Sequence, residues 1–368
     1  MKYLQFLSSM AAAAFTALAP MSRAAAGGYL QTNLVSDKNS AAVAPTNDPS
    51  LVNPWGIGFF PGGPFWVSDN GTGVSTLYTG VGGKIALTVT IPAPSGDMNP
   101  GAPGPSGMVW NGSPLAFMVG NTGLKNAAAA LFIWATEDGT IAAWQGGLSP
   151  NTDAVTVVPN PNFGSGTDPV YKGLAIGNNS TGLFLYATDF RSGKVVVWDS
   201  TFAFNSALSA KFVDNQIPAG FAPFGIQNIN GQLWITYAKQ DSLKHDPVLG
   251  LGRGFVDVFD TDGNLLTRFA QRGVLNAPWG VVLAPRHFGE FSGDILIGNF
   301  GDGKISAWDP KTRNFIDWMR NESGKTIELG SLWALVFGGG AAASPQALYF
   351  TTGLVAESDG LFGTLTPH

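Results

Sequence analysis

The sequence predicts an all-β chain folded as a single six-bladed β-propeller of four-stranded blades. Three observations predict it. Gly (49) and Pro (24) make up about 20% of the 368 residues, while only 12% are charged and 45% are hydrophobic; this composition suits many short strands joined by tight turns. One hairpin pattern recurs six times along the chain. A short motif precedes each copy at a spacing near fifty residues, the period of a propeller blade.

Taken in order, the chain opens with Lys2, the apolar run MAAAAFTALA (10–19) and the small residues Ala24 and Ala26. This predicts a secretory signal peptide over residues 1–26, since the apolar run is too short to span a bilayer. The expected product is an exported domain over 27–368, periplasmic or extracellular. No other apolar run is long enough for a membrane span, and the C-terminal GTLTPH carries no sorting tail. With no Cys in the sequence, disulfides, thiol catalysis and Cys-ligated metals are excluded. The net charge of −5 gives nucleic-acid binding no electrostatic support.

The six hairpins read FWVSDNGTGVSTLY (65–78), LFIWATEDGTIAAW (131–144), LFLYATDFRSGKVVVWD (183–199), LWITYAKQ with GRGFVDVFD (233–260), ILIGNFGDGKISAWD (295–309) and LYFTTGLVAESDGLFGTL (348–365). Each alternates apolar and polar residues around an Asp/Gly turn, the mark of a β-hairpin. The motifs before them are PWGIGF, PSGMVW, YKGLAI, PFGIQN, PWGVVL and SLWALVF, with anchors Gly56, Gly107, Gly173, Gly225, Gly280 and Ala334 spaced 51, 66, 52, 55 and 54 residues apart. These motifs predict the innermost strands, where a residue without a side chain lets neighbouring strands crowd the axis. Outer strands are expected at KIALTVTIPA (84–93), ALSAKFVD (207–214) and NLLTRFA (264–270). The sixth unit reaches His368 without a fourth strand, so YLQTNLVS (29–36) is predicted to supply it and close the ring. Closure removes exposed sheet edges.

The stretches NPWGIGF, PFWVSDNGTGVSTLY, ALFIWATEDGTI, YKGLA, GFVDVFDTDGNLL, NAPWG and IGNFGDGKISAWD together resemble an uncharacterised family of exported bacterial propeller proteins, many associated with PEP-CTERM sorting tails. That resemblance spans nearly the whole mature chain and implies the propeller fold, with no activity attached. A more distant likeness is to NHL repeats and six-bladed gluconolactonase-like lactonases.

Candidate sites follow from the repeat. No G-x-S-x-G or H-E-x-x-H motif occurs, and Asp260-Thr261-Asp262-Gly263-Asn264 lacks the rest of a calcium loop. The hairpin turns should all lie on one face. Their Asp69, Asp189, Asn299 and Glu357 form a candidate ring for a hard cation such as Ca²⁺, although Asp and Asn are also ordinary turn formers. The turn of unit four, YAKQDSLKHDPVLGLGRG (237–254), is much longer than the others and concentrates charge. It is read as a lid over the mouth, with His245 and Asp246 as a candidate general base and its partner. Lys239 and Arg253 on that loop, with Trp55, Phe224, Trp279 and Trp333 beside the anchors, are candidate binding residues; packing between blades is the competing role for the aromatics.

Three functions remain open at this level. The first is a monomeric binding or interaction module for a small molecule, polysaccharide or protein. The others are a metal-assisted hydrolase of lactone or ester type and a structural component of an extracellular matrix or surface.

Overall fold

The computed structural model describes residues 27–38, 43–95, 102–121 and 125–368. The predicted signal peptide over 1–26 lies outside the described residues, as does part of the Gly/Pro-rich stretch 94–107. The chain forms a six-bladed β-propeller. Blade 1 runs from Pro54 to Thr90, blade 2 from Pro105 to Val158 and blade 3 from Tyr171 to Asp199. Blade 4 runs from Phe221 to Gln271, blade 5 from Pro278 to Trp318, and blade 6 begins at Ser331. The inner strand of each blade packs on that of the next, and blade 6 packs back on blade 1, so the ring is closed.

The closing strand is the predicted one. Tyr29–Ser36 pairs antiparallel with Asp359–Pro367 as the fourth strand of blade 6, and Thr46–Asn47 adds a short parallel fifth.

The anchors sit where the backbones crowd. A β-carbon on Gly56 would lie 2.7 Å from the Ser106 carbonyl, and one on Gly225 would lie 2.1 Å from the Trp279 carbonyl. Neither blade has room to retreat, because each is pressed by its other neighbour. The inner strands of blades 3, 4 and 6 also shift register beside the anchor, at Tyr171/Gly173, Pro223/Ile226 and Leu332/Leu335. Such a bulge frees an N–H from the ladder. A threonine on the second strand recovers it: Thr188 Oγ1 accepts from Gly173 N–H at 2.8 Å, Thr236 Oγ1 from Gly225 N–H at 2.8 Å and Thr351 Oγ1 from Ala334 N–H at 3.1 Å. Thr188 then donates to the Phe224 carbonyl at 2.7 Å and Thr351 to the Trp55 carbonyl at 2.5 Å, stitching one blade to the next.

Two features depart from the regular repeat. The outer strand expected at 207–214 does not form: Ser206–Ser209 is a helical turn, and blade 3 keeps only three strands. Local side-chain bonds win here. The Asn205 side chain accepts from Leu208 N–H at 2.9 Å, and Ser209 Oγ donates to the Asn205 carbonyl at 2.7 Å, which offers the backbone a helical alternative to the ladder. The long spacing of 66 residues between Gly107 and Gly173 is accounted for by an extra hairpin, Met118–Asn121 with Lys125–Ala129, inserted between the first two strands of blade 2.

Candidate functional site at the axial mouth

The position before each anchor is occupied by Trp55, Ser106, Lys172, Phe224, Trp279 and Trp333 in blades 1 to 6. The four aromatics join Phe190 and Phe300 in one buried cluster. Trp55 and Trp333 stack with ring centroids 3.4 Å apart, and Phe300 lies 4.2 Å from Trp333. These rings fill the space on the axis, so the candidate binding aromatics form a packed floor.

The blade 3 member of that set is a lysine. Lys172 is 1% exposed, and its ammonium lies 5.2 Å from the Trp55 ring centroid, a distance at which the ring face attracts a cation. It pairs closely with Glu137 Oε1 and reaches Asp246 Oδ1 at 3.4 Å. The polar ring continues from there. Asn70 Nδ2 donates to Glu137 Oε2 at 2.8 Å, and Asn53 Nδ2 is shared between Asn70 Oδ1 at 3.3 Å and Glu357 Oε2 at 3.2 Å. Trp333 Nε1 donates to Asn53 Oδ1 at 3.0 Å, which ties the ring to its floor.

The long loop of blade 4 folds over this ring. Gln240 Nε2 donates to the Phe190 carbonyl of blade 3, and Asp241 Oδ1 accepts from His245 N–H at 2.8 Å. The result holds His245 Nδ1 2.9 Å from Asp246 Oδ1. The hydrogen bond to Asp246 raises the His245 pKa, and the same bond holds the Asp246 carboxyl down at about 2. On the opposite side, burial and then the nearby Glu137 charge push the Glu357 carboxyl up to about 7. Glu357 is presented by three successive non-glycine residues in the left-handed region, Val355, Ala356 and Glu357, with φ of 50°, 51° and 70°. Each costs on the order of 1 kcal/mol, a strain that clusters at functional sites.

The structure thus brings His245, Asp246 and Glu357 to one mouth, and adds Lys172, Glu137, Asn53 and Asn70. Asp189 and Asn299 serve their own blades. Asp189 Oδ1 accepts from the N–H groups of Val170, Arg191 and Ser192 at 3.1 to 3.2 Å, while Asn299 accepts from Asn276 N–H at 3.1 Å and donates to the Val274 carbonyl at 2.9 Å. Asp69 is fully buried, and burial pushes its carboxyl well above the usual range. In blades 1, 3 and 5 it is the next residue, Asn70, Phe190 or Phe300, that turns to the axis. Lys239 is exposed, and Arg253 donates to the Leu249 carbonyl at 2.6 Å within its own loop. The signal for Lys172 was visible: one lysine in an otherwise apolar strand, at a position that three of the other five blades give to tryptophan.

Among the described residues, one group of three has the donor atoms for a cation within 4.8 Å of one another: Glu137, His245 and Asp246. The Lys172 ammonium already bonds both carboxylates. That side chain already takes the carboxylate oxygens a divalent cation such as Ca²⁺ would need, so the group does not fit a resident metal as it stands.

No family model matches the chain. Among solved structures, a catalytically inactive virginiamycin B lyase from Staphylococcus aureus, determined with quinupristin, is similar at a TM-score of 0.50 and 14% identity, over 92% of this chain and 99% of that one. This likeness concerns the six-bladed fold alone. Among sequence relatives, an uncharacterised protein of Acanthamoeba polyphaga mimivirus is 31% identical over 342 residues, covering 90% of this chain and 78% of its own length. A second mimivirus protein, also uncharacterised, is 32% identical over 343 residues, covering 90% of this chain and 84% of its own length. These relatives are viral, not the exported bacterial proteins expected from the motifs. At that identity and coverage, the chain belongs to one family with these uncharacterised mimivirus proteins.

Proposed function

We propose that the axial mouth binds a small polar molecule and performs acid–base chemistry on it, with hydrolysis of an ester or lactone as the reaction its groups fit. The observation that carries this reading is the His245–Asp246 pair at 2.9 Å. The carboxylate holds Nδ1 and leaves Nε2 to take a proton from water. The resulting hydroxide would attack the carbonyl carbon, with the Lys172 charge favouring the oxyanion that forms. Glu357, whose carboxyl titrates at about 7, would donate its proton to the departing oxygen. A base held by a carboxylate and a protonated carboxyl are the two opposite roles such a step requires.

Export through a signal peptide over 1–26 and a periplasmic or extracellular destination belong to the same proposal, supported by the apolar run at 10–19. Among the described residues, no helix is long and apolar enough to cross a membrane.

The test is a screen of the mature chain against aryl esters and five- and six-membered lactones. Turnover should fall at least 100-fold in His245→Gln, the lower end of a general base contribution, with the melting temperature unchanged. Absence of turnover in the native protein, or an equally active variant, overturns the reading. An interaction module is the second reading. It is favoured by Leu243, Leu249 and Leu251, which stand 74%, 46% and 69% exposed on the same loop. Its test is whether charged substitutions there abolish capture of a partner while leaving turnover intact.

A further inference from the structure

The propeller axis has a second end, and its chemistry reverses that of the mouth. Residues after the anchors carry the inner strands away from the aromatic floor, against which Ile57 packs. There the six strands open into two adjoining cavities of about 310 and 340 Å³, which share Ile57, Gln227 and Asn228. Val109, Ile176, Val282 and Val336 of blades 2, 3, 5 and 6 continue the apolar wall, each half-buried. Gln227 of blade 4 stands two residues after its anchor, as Val109, Val282 and Val336 do after theirs. Among the described residues, none that lines either cavity is charged. A mostly apolar basin with a few placed polar groups is the usual form of a small-molecule site, and these volumes fall at the lower end of its range.

The polar groups gather on one side. Gln227, Asn228 and Asn230 come from one hairpin of blade 4. Asn228 is fixed by its own bonds: Nδ2 donates to the Ile176 carbonyl at 2.8 Å, and Oδ1 accepts from Gly231 N–H at 2.9 Å. Among the described residues, the Gln227 and Asn230 amides and the Trp110 indole N–H bond no other group. The remaining wall is aromatic. Trp110 and Phe59 line the first cavity and Phe337 the second. Phe59 is held edge-on by Phe65 at 5.0 Å and Phe337 by Phe288 at 4.8 Å, so both rings are rigid surfaces.

We propose that this basin binds a neutral sugar, a single pyranose ring or the end of an uncharged glycan. Its C–H face would rest against Trp110 and Phe59, and its hydroxyls would meet Gln227, Asn228 and Asn230. A carboxamide donates and accepts without charge, as a hydroxyl does, so the two match group for group. An anion would find no cation among the lining residues, and a metal ion no carboxylate. An alkyl chain would cover the free amides without bonding them, which is unfavourable. The packed floor separates this basin from the His245 site, and the two stand or fall separately.

The experiment is an NMR titration of the ¹⁵N-labelled mature chain with the methyl glycosides of D-glucose, D-galactose and D-mannose. At least one should give saturable shifts at the backbone amides of Trp110, Gln227, Asn228 and Asn230. Gln227→Leu and Trp110→Ala should each weaken its binding at least tenfold. Asn230→Gly removes an amide and suits the φ of 54° at that residue, so the fold is kept; binding should weaken at least threefold. Leu243→Ser, on the blade 4 loop over the mouth, should change nothing. No saturable shift with any of the three glycosides, or undiminished binding in Gln227→Leu and Asn230→Gly, overturns the proposal. Binding of the apolar probe N-phenyl-1-naphthylamine at the same amides, with no glycoside bound, also overturns it and assigns the basin to an apolar ligand.

Discussion

Trp55 of blade 1 and Trp333 of blade 6 lie face to face on the propeller axis, their centroids 3.4 Å apart and their planes 20° from parallel. The first and last blades of the ring meet at this pair. The stack therefore stabilises closure and, at the same time, forms the floor on which the polar mouth rests through the Trp333–Asn53 hydrogen bond.

Trp333→Ala removes a buried ring that contacts Trp55, Phe224, Trp279 and Phe300. The expected loss is about 3–5 kcal/mol, the range for truncating a buried aromatic. Denaturant unfolding of the variant checks it; a loss below 1 kcal/mol would show that the neighbouring rings collapse into the gap.

Lys172→Met should cost about 3 kcal/mol, because it leaves the Glu137 carboxylate without its buried partner. The double variant Lys172→Met with Glu137→Gln should recover most of that loss. A thermal-unfolding double-mutant cycle reads the coupling, and strictly additive losses would mean that the pair is not coupled.

Glu357 makes a pH prediction. Its folded carboxyl titrates at about 7, above its ordinary value of 4.5, so the folded protein binds the extra proton between those limits. Stability from this group is therefore fully present below about pH 4.5 and declines as pH rises toward 7. Glu357→Gln should flatten that stretch of the stability-against-pH curve, and an unchanged slope would refute the assignment.

Thr188→Val and Thr351→Val keep shape but delete the hydroxyl that satisfies an anchor N–H and bonds the next blade. Each should cost about 1–3 kcal/mol, the cost of stranding a buried donor. Valine substitution at exposed Thr201 is the comparison, expected within about 0.5 kcal/mol.

Much of the fold was legible because a propeller repeats its physics. The anchors from Gly56 to Gly280 mark backbone crowding wherever they occur, and the leftover strand at 29–36 had one place to go. The helical turn at Ser206–Ser209 was not legible, since ALSAKFVD alternates well enough for a strand and only the local bonds of Asn205 and Ser209 decide otherwise. At the mouth, loop length and charge single out His245 and Asp246, whose side chains lie 2.9 Å apart. Asp69 turns into its blade and Asn70 toward the axis because adjacent residues at a strand end face opposite ways. Lys172 was overlooked inside YKGLAI, where its role depends on Glu137, 35 residues earlier in the chain.

The pairing of Tyr29–Ser36 with Asp359–Pro367 also sets an order of events during synthesis. A chain still emerging from the ribosome can complete blades 1 to 5 as they appear. Its first strand must wait for the last one to be translated before the two can pair and close the ring. A ring joined in this way has no privileged starting point, so linking the present termini and opening the chain at the exposed turn around Gly231 should yield a permuted protein with the same propeller.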